Sequence, residues 1–290
     1  MRFSQTLNQK RFSLVVQMDP PKGPDPASLV DTALAMRGRI DAVCFTDNPM
    51  AIMRMHPLAP CHLVAGKNME VVLQVTARDR NRLLFQSELL AAWALDVRSI
   101  LLRRGEDPSY GDHPLALPCN DLTMEKMCEV VSCFKQGKDL SGLPLEASPT
   151  FHVGVEIGLS DERAQNERTA AEVAKWADLG VDFLVLGPTF DVETLALFSK
   201  AAAPKGLKVL ASVLLLKSVG MAKYLNTIPG MPKVPEETIQ RIARAPLKQR
   251  ACLEIGAEFL KQIEAVCQGA VIVPLGWEAK VGELLDLYGR

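Results

Sequence analysis

The feature that most constrains the fold is a regular alternation of short apolar runs with longer segments of helical spacing. Eight runs rich in β-branched or aliphatic residues recur along the 290 residues, and each is followed by a stretch that favours a helix. Such near-continuous apolar strands are typical of a parallel sheet that is covered on its outer side. The predicted strands are residues 13–18, 42–46, 71–75, 99–102, 152–156, 183–186, 208–213 and 270–274, and helices are predicted at 83–95, 124–136, 162–179 and 249–266.

Two arrangements of this sheet are open, a closed (β/α)8 TIM barrel and an open doubly wound sheet. Eight strands match the barrel directly, and no Gly-x-Gly-x-x-Gly follows the first strand. Because barrels of about 250 residues or more form one unit, we predict an α/β protein with a single (β/α)8 TIM barrel domain over residues 1–290. Two long intervals, at about 103–150 and 214–269, are predicted as insertions after strands.

The charge balance argues against an overall attraction to nucleic acid or to an anionic membrane. Thirty-three Lys and Arg offset 34 Asp and Glu, which leaves a formal net charge of −1. The longest strongly apolar stretch, residues 209–216, is far shorter than the ~20 residues that cross a bilayer, and no secretory signal is visible. We therefore expect a cytoplasmic protein without membrane insertion or a nucleic-acid partner.

The histidines and cysteines give no pattern typical of a metal site. None of the four His or seven Cys has His-x-x-x-His, His-Glu-x-x-His or Cys-x-x-Cys spacing. The sequence therefore predicts no bound metal.

Polar side chains follow the first two predicted strands. Gln17 and Asp19 lie two residues apart, so they share one face of the strand and can meet the same ligand. The prolines at 20–21 make a rigid loop the alternative explanation. The second strand ends in Thr-Asp-Asn-Pro at 46–49, where Thr46 can face a ligand or the segment can simply cap the next helix.

Charged residues are concentrated after the third and fourth strands. Arg78 and Arg80 occupy one turn, and their guanidinium groups suit a phosphate or carboxylate, although Asp79 can pair with either. After the fourth strand comes Arg-Gly-Glu-Asp at 104–107. Gly105 allows the backbone to approach a planar or phosphorylated ligand, and the acids can bind the polar edge of a heterocycle. An ordinary surface turn is the alternative.

Six groups of residues appear in one order across nearly the whole chain. They are Asp-Pro-Pro-Lys-Gly at 19–23, Asp-Asn-Pro at 47–49, Arg-Asp-Arg-Asn at 78–81, Phe-Asp at 190–191, Pro-Gly at 229–230 with Val-Pro-Glu at 234–236, and Val-Pro-Leu-Gly-Trp at 273–277. Together they resemble the methylenetetrahydrofolate reductase family, (β/α)8 flavoproteins that reduce methylenetetrahydrofolate to methyltetrahydrofolate in one-carbon metabolism and methionine biosynthesis. The resemblance implies FAD, with FMN possible, a folate substrate, and a pyridine nucleotide or a protein as electron donor. It also implies a homo-oligomer or a subunit of a complex.

The resemblance also implies catalytic residues, with one important departure. The family's first-strand glutamate, thought to protonate the pterin of the folate, corresponds to Gln17. An amide cannot supply that proton near neutral pH, so we expect Asp19 to replace it as the acid. The family's aspartate near the flavin ring corresponds to Glu106, or to Asp107 if the turn shifts by one. The catalytic set is therefore Asp19, Gln17 and Glu106.

Other family positions give the expected binding residues. A histidine of the third strand corresponds to Gln74, and a folate-contacting glutamine after the sixth strand corresponds to Gly187. Tyr110 can cover the flavin ring or anchor a loop, and Leu215 can line the ligand or pack in the core. For the cofactor the resemblance implies Thr46, Gln74, Thr76, Arg78, Arg80, Arg104, Gly105, Asp107, Tyr110 and Lys175; for the substrate it implies Gln17, Gly187 and Leu215.

Three functional hypotheses follow. The first is a divergent methylenetetrahydrofolate reductase in which a flavin passes hydride to the folate. The second is a noncatalytic or partly catalytic subunit that binds a pterin or folate in a one-carbon complex. The third is a different barrel enzyme, because a fold alone does not fix function. A bound flavin favours the first, and folate binding without flavin favours the second.

Overall fold

The computed structural model describes residues 2–9 and 11–290. Its eight strands are parallel and form a closed barrel in chain order, with the last strand paired to the first. This confirms the predicted (β/α)8 fold. The strands are β1 Ser13–Met18, β2 Ala42–Phe45, β3 Val71–Thr76, β4 Ser99–Arg103, β5 His152–Ile157, β6 Phe183–Leu186, β7 Lys208–Leu214 and β8 Gly269–Val273.

Helices surround the barrel, and several begin at a side chain that caps the helix. Asn81 accepts hydrogen bonds from the amides of Leu83 and Leu84, and Asp191 accepts one from the amide of Glu193. The helices are α1 Phe3–Asn8, α2 Ala27–Ala35, α3 Leu58–Ala65, α4 Arg82–Ala94, α5 Met124–Lys135, α6 Arg163–Ala171, α7 Ala174–Asp178, α8 Val192–Ala202, α9 Val219–Leu225, α10 Glu236–Arg244, α11 Lys248–Ile263 and α12 Val281–Tyr288. None of them, within the described residues, is both long and apolar enough to span a membrane.

The helix predicted at 162–179 is wrong as a single element, because the chain forms α6 and α7 there. Around Val173 the backbone hydrogen bonds join residues three apart instead of four apart. The amide of Val173 donates to the Ala170 carbonyl, and the amide of Trp176 donates to the Val173 carbonyl. This tighter turn interrupts the α-helix and reorients the residues that follow. Consequently Trp176 becomes a buried residue of the separate helix α7.

The barrel interior is filled by alternate strand residues and is closed at its amino-terminal end by α1. Phe3 and Leu7 of α1 are buried in the same cluster as the inward-facing strand residues. The Phe3 ring lies 5.5 Å from that of His152 and 5.8 Å from that of Phe183, which begin β5 and β6. This helix was not predicted from the sequence, and it lies at the end of the barrel opposite the predicted site.

We expect Phe3→Ala to destabilise the protein by about 3–5 kcal/mol, because it opens a cavity at the floor of the barrel. The measurement is the free energy of unfolding from denaturant titration. Leu83→Ala is a suitable control, because Leu83 is 75% exposed. A loss no larger than that of the control would show that α1 does not contribute to the barrel core.

Candidate functional site

The carboxyl-terminal mouth of the barrel is lined by polar residues that follow the apolar interior. Gln17, Thr46, Gln74 and Arg103 each lie two residues beyond a member of the inner apolar cluster. Strand alternation therefore turns them inward at the end where barrel sites form. By the same strand alternation, the side chain of Glu156 on β5 also faces the barrel interior. Four strands thus bring Gln17, Gln74, Arg103 and Glu156 to one opening, and Thr46 follows β2 beside them.

Asp19 and Thr46, two predicted site residues, are in direct contact. Asp19 Oδ1 accepts a hydrogen bond of 2.8 Å from Thr46 Oγ1. No other hydrogen bond to Asp19 is found among residues 2–9 and 11–290. Asp19 also lines a cavity of about 490 Å³ together with Met18, Arg54 and Leu275. The carboxyl group is therefore oriented by Thr46 and open to a ligand.

Gln74 and Thr76 are buried and fix the turn after β2. Gln74 Oε1 accepts a hydrogen bond of 3.1 Å from the amide of Asp47, and the amide of Thr76 donates one of 2.9 Å to Asp47 Oδ2. Thr76 Oγ1 donates to the Asp47 carbonyl at 3.2 Å. These bonds tie the ends of β2 and β3 together, and contact of either residue with a cofactor stays a prediction.

Arg80 is held in a buried ionic network. Its Nη1 donates to Asp47 Oδ2 at 2.6 Å and to the Thr76 carbonyl at 3.0 Å, and its Nε pairs with Glu88. Burial alone would raise the pKa of Glu88, but hydrogen bonds from His56 and Arg80 and the charge of Arg80 hold it below its usual value. The guanidinium faces groups of the protein, so its predicted contact with an anionic ligand has no support from this geometry.

Arg78 stabilises the turn after β4. Its Nε and Nη2 donate to the two oxygens of Asp79 at 2.7 and 2.6 Å, and its Nη1 donates to the Glu106 carbonyl at 3.1 Å. Burial would raise the pKa of Asp79, yet the hydrogen bond and charge of Arg78 lower it. Arg78 thus positions the segment that carries Glu106.

A cavity of about 750 Å³ lies beside this turn. Pockets of roughly 300–1,000 Å³ accommodate cofactors and small-molecule ligands. Five of the predicted residues line it, namely Arg78, Arg104, Gly105, Glu106 and Asp107, and Trp176 of α7 lines it as well.

Two further predicted cofactor contacts, Lys175 and Tyr110, do not line this cavity. Lys175 Nζ is 4.9 Å from the centre of the Trp176 ring and 3.3 Å from Glu125 Oε1. Tyr110 is 82% exposed, and Arg104 makes no ion pair with any described residue. Arg104 on the cavity wall and Lys175 beside Trp176 are therefore two exposed cations at this cavity.

Gly105 has a conformation and a position that favour glycine. Its φ is +86°, and a Cβ there would lie 2.3 Å from Thr76 Cγ2 and 3.1 Å from Arg78 Cβ. The observed close approach is to side chains of the protein, and the predicted approach of this backbone to a ligand stays a prediction. Any side chain at position 105 would push the turn away from the cavity wall.

We expect Gly105→Ala to reduce ligand retention in this cavity at least tenfold and to lower stability, because both the backbone angle and the contact with Thr76 are unfavourable. The matched control is Gly142→Ala. Gly142 has a similar φ of +88° but nothing within 4 Å of its Cβ position. The measurement is the amount of ligand retained in the cavity by each purified variant. Equal retention in the two variants would contradict the role of the Thr76 contact.

Sequence reasoning missed Glu156 as a site residue. Arg103 Nη2 donates to Glu106 Oε1 at 2.6 Å, while Arg103 Nε lies 3.0 Å from Glu156 Oε2 without the alignment of a hydrogen bond. Burial and the charge of Glu106 raise the pKa of Glu156 against the opposing effect of Arg103. The sequence did offer one indication, because Glu156 is an acidic residue at the carboxyl end of the predicted strand 152–156.

Gly187 and Leu215 differ in their relation to the mouth. Gly187 is buried directly after β6, and its amide donates to the Ile157 carbonyl at 2.8 Å. Leu215 is buried in the core between strands and helices, where its Cδ2 lies 3.1 Å from the Cβ position of Gly256 in α11. The structure therefore places Gly187 beside the mouth and does not bring Leu215 to it.

The family model described as methylenetetrahydrofolate reductase matches residues 2–272 of this chain. The chain belongs to the methylenetetrahydrofolate reductase family. The match covers β1 to β7 completely and β8 except for its last residue, so it includes the strand ends that carry Gln17, Gln74, Arg103 and Glu156. A search of curated proteins finds no match.

Solved structures support the barrel fold of this family member. The long-chain alkane monooxygenase LadA is 11% identical with a TM-score of 0.56, covering 97% of this chain and 90% of LadA. EDTA monooxygenase (EmoA) from Chelativorans sp. BNC1 is 12% identical with a TM-score of 0.55, covering 96% and 93% of the two chains. DmoA from Hyphomicrobium sulfonivorans is 9% identical with a TM-score of 0.55, covering 96% and 87%. At these identities the likeness concerns the fold alone.

Proposed function

We propose that this chain is a methylenetetrahydrofolate reductase that uses a flavin to convert 5,10-methylenetetrahydrofolate to 5-methyltetrahydrofolate. The observation that carries the proposal is the adjacency of two features in a member of this family. A polar barrel mouth holds Gln17 and Asp19, and a cavity of about 750 Å³ opens beside Glu106. One can hold the substrate while the other holds a cofactor.

The residues around the larger cavity fit a flavin. Gly105 presents backbone without a side chain, Asp107 provides a polar group, and the largely buried Trp176 contributes an aromatic ring to the wall. Arg104 and Lys175 are the cations suited to the phosphates of FAD or FMN. A bound flavin supplies the hydride, and the protein's contribution is orientation and electrostatics.

Asp19 is the proposed proton donor. Reduction transfers a hydride to the methylene carbon, the bond from that carbon to one folate nitrogen breaks, and this nitrogen takes a proton. Gln17 cannot provide the proton but can hydrogen-bond the pterin. Asp19 is held by Thr46 through one oxygen, which leaves the other oxygen available to the substrate.

The first experiment is the visible absorption spectrum of the purified protein, before and after incubation with FAD or FMN and removal of unbound flavin. We expect a retained flavin band that is bleached by reductant under anaerobic conditions and returns on addition of methylenetetrahydrofolate. Pyridine nucleotides and protein electron donors can then be compared as reductants. A colourless protein that cannot be reconstituted contradicts the proposal.

Gln17 supports a second candidate function, a noncatalytic or partly catalytic folate-binding subunit of a one-carbon complex. The amide stands where the family has its acid, while the mouth keeps other polar groups that can bind a pterin. Tetrahydrofolate binding without any flavin binding would favour this function. In either case we propose a cytoplasmic protein that forms a homo-oligomer or joins a complex.

A further inference from the structure

The barrel mouth carries more negative than positive charge. Arg103 lies between two carboxylates, with Glu106 Oε1 2.6 Å from its Nη2 and Glu156 Oε2 3.0 Å from its Nε. The nearby Gln74 Oε1, 3.5 Å from Arg103 Nη1, is a further acceptor. Arg103 therefore serves two carboxylates and an amide oxygen. A second guanidinium, Arg78, has its Nη1 3.8 Å from Glu106 Oε2, but its Nε and Nη2 bind Asp79, so acceptors remain in excess.

This cluster also holds unsatisfied polar atoms. Within the described residues, six buried side-chain nitrogen or oxygen atoms lack a hydrogen-bond partner, and three of them belong here: Arg103 Nε, Glu106 Oε2 and Glu156 Oε2. Arg103 Nε and Glu156 Oε2 lie 3.0 Å apart as an ion pair without hydrogen-bond alignment, and Glu106 Oε2 lacks a donor within hydrogen-bond distance. Buried polar groups are normally hydrogen-bonded, so this incomplete bonding indicates a place where a ligand supplies a donor. The Glu106 and Glu156 side chains are 28% and 29% exposed although their Oε2 atoms are buried, so a ligand in the mouth can contact the exposed part of each side chain.

Glu156 stands next to the position where the family's folate-contacting glutamine is absent. That glutamine corresponds to Gly187, directly after β6, and Glu156 lies on the adjacent strand β5 in register with Val185. The Gly187 amide bonds to the carbonyl of Ile157, the residue after Glu156. The polar side chain that is absent at Gly187, after β6, thus has a polar counterpart in Glu156 on the adjacent strand β5.

The hydrogen-bonding pattern distinguishes the two ring systems of the proposed reaction. The edge of a reduced pterin presents a 2-amino group and an N3–H, both donors, next to the O4 acceptor. The corresponding edge of a flavin presents one N–H between two carbonyl acceptors. Two carboxylates with one guanidinium complement the donor-rich pterin edge and repel the carbonyl-rich flavin edge.

We propose that Glu156 is a specificity-determining residue that, with Arg103 and Glu106, binds the 2-amino-4-oxo edge of the reduced pterin. This inference rests on the proposed folate substrate. The raised pKa of Glu156, caused by burial and by the charge of Glu106, is consistent with a carboxylate that lacks donors until a ligand supplies them. The contact takes over on β5 the role that a glutamine has after β6 elsewhere in the family.

The experiment measures the affinity of flavin-loaded protein for tetrahydrofolate, and for an analogue without the 2-amino group, by calorimetric titration. We expect Glu156→Ala to weaken tetrahydrofolate binding about tenfold or more, and Glu156→Gln to weaken it less, because hydrogen bonds to charged groups contribute more than neutral ones. The analogue is expected to bind wild type and Glu156→Ala about equally. Flavin content is expected to be unchanged.

Glu146→Gln is the matched control, because Glu146 is an exposed carboxylate that lies outside the barrel strands. Melting temperatures identify any variant that fails to fold, and Glu156→Gln keeps the shape of the side chain. Unchanged tetrahydrofolate affinity in both Glu156 variants overturns the inference and leaves the proposed function standing. Loss of flavin without loss of folate affinity assigns the cluster to the flavin and also overturns it. A wild-type protein that binds flavin but no tetrahydrofolate overturns both proposals.

Discussion

Asp19→Asn is expected to lower the turnover of methylenetetrahydrofolate by a factor of about 10²–10⁴ while reduction of the flavin by its donor proceeds at the wild-type rate. An asparagine has the same shape and can still accept the hydrogen bond from Thr46 Oγ1, but it has no proton to give to the folate nitrogen. The effect should therefore fall on the second half-reaction alone. Stopped-flow measurement of flavin reduction and of reoxidation by folate separates the two steps.

Two further variants make this test specific. Asp31→Asn removes an exposed carboxylate from α2 and should leave both steps unchanged. Gln17→Glu in the Asp19→Asn background restores an acid at the position where the family has one, and should recover part of the folate turnover. Wild-type folate turnover in Asp19→Asn would assign the proton to another group and contradict the role of Asp19.

Asp47→Ala is expected to reduce the free energy of unfolding by about 3–5 kcal/mol, the range for breaking a buried ion pair. Asp47 is 1% exposed, and its Oδ2 accepts hydrogen bonds from Arg80 Nη1 and from the amide of Thr76. Without that carboxylate the buried guanidinium keeps Glu88 but loses a partner, and the Thr76 amide is left unsatisfied. Denaturant titration with an unchanged slope would measure the loss directly.

The control for Asp47→Ala is Glu129→Ala, which removes an exposed ion pair with Lys126 on α5. Exposed pairs on a helix contribute little to stability, so no resolvable change is expected there. The network also joins the ends of β2 and β3 at the mouth, so Asp47→Ala should weaken flavin retention as well. Equal stability of the two variants would show that Arg80 finds compensating partners.

Much of the fold was accessible from local pattern. Each predicted strand agrees with the observed one to within a residue at either end, because every strand is a short apolar run buried on both faces. The prediction of one helix over 162–179 was wrong because the helix is interrupted near Val173, where backbone hydrogen bonds join residues three apart. No glycine or proline in this segment indicates the interruption. The helix α1 was missed because six residues with only two buried apolar side chains, Phe3 and Leu7, give little periodicity to detect.

The candidate site was likewise predicted in part from the sequence. The order of short motifs was enough to recognise the family, and strand ends identified Asp19, Thr46, Arg78 and Gly105 as residues to examine. Which of these side chains meet one another follows from closure of the barrel, since contacts between β1 and β2 or between β4 and β5 join residues far apart in the chain. Arg80 was proposed to bind an anion, yet packing surrounds it with Asp47 and Glu88.

Residue types and their spacing along the chain therefore specify eight strands, several of the helices and the family, because apolar periodicity and short motifs are local properties. The environment of each charge is not local. Glu156 becomes notable only when β4 lies beside β5 and brings Arg103 and Glu106 within reach, and Trp176 only when α7 turns toward the cavity. Burial and neighbouring charges, which set the chemistry of these groups, arise from the packing of distant segments.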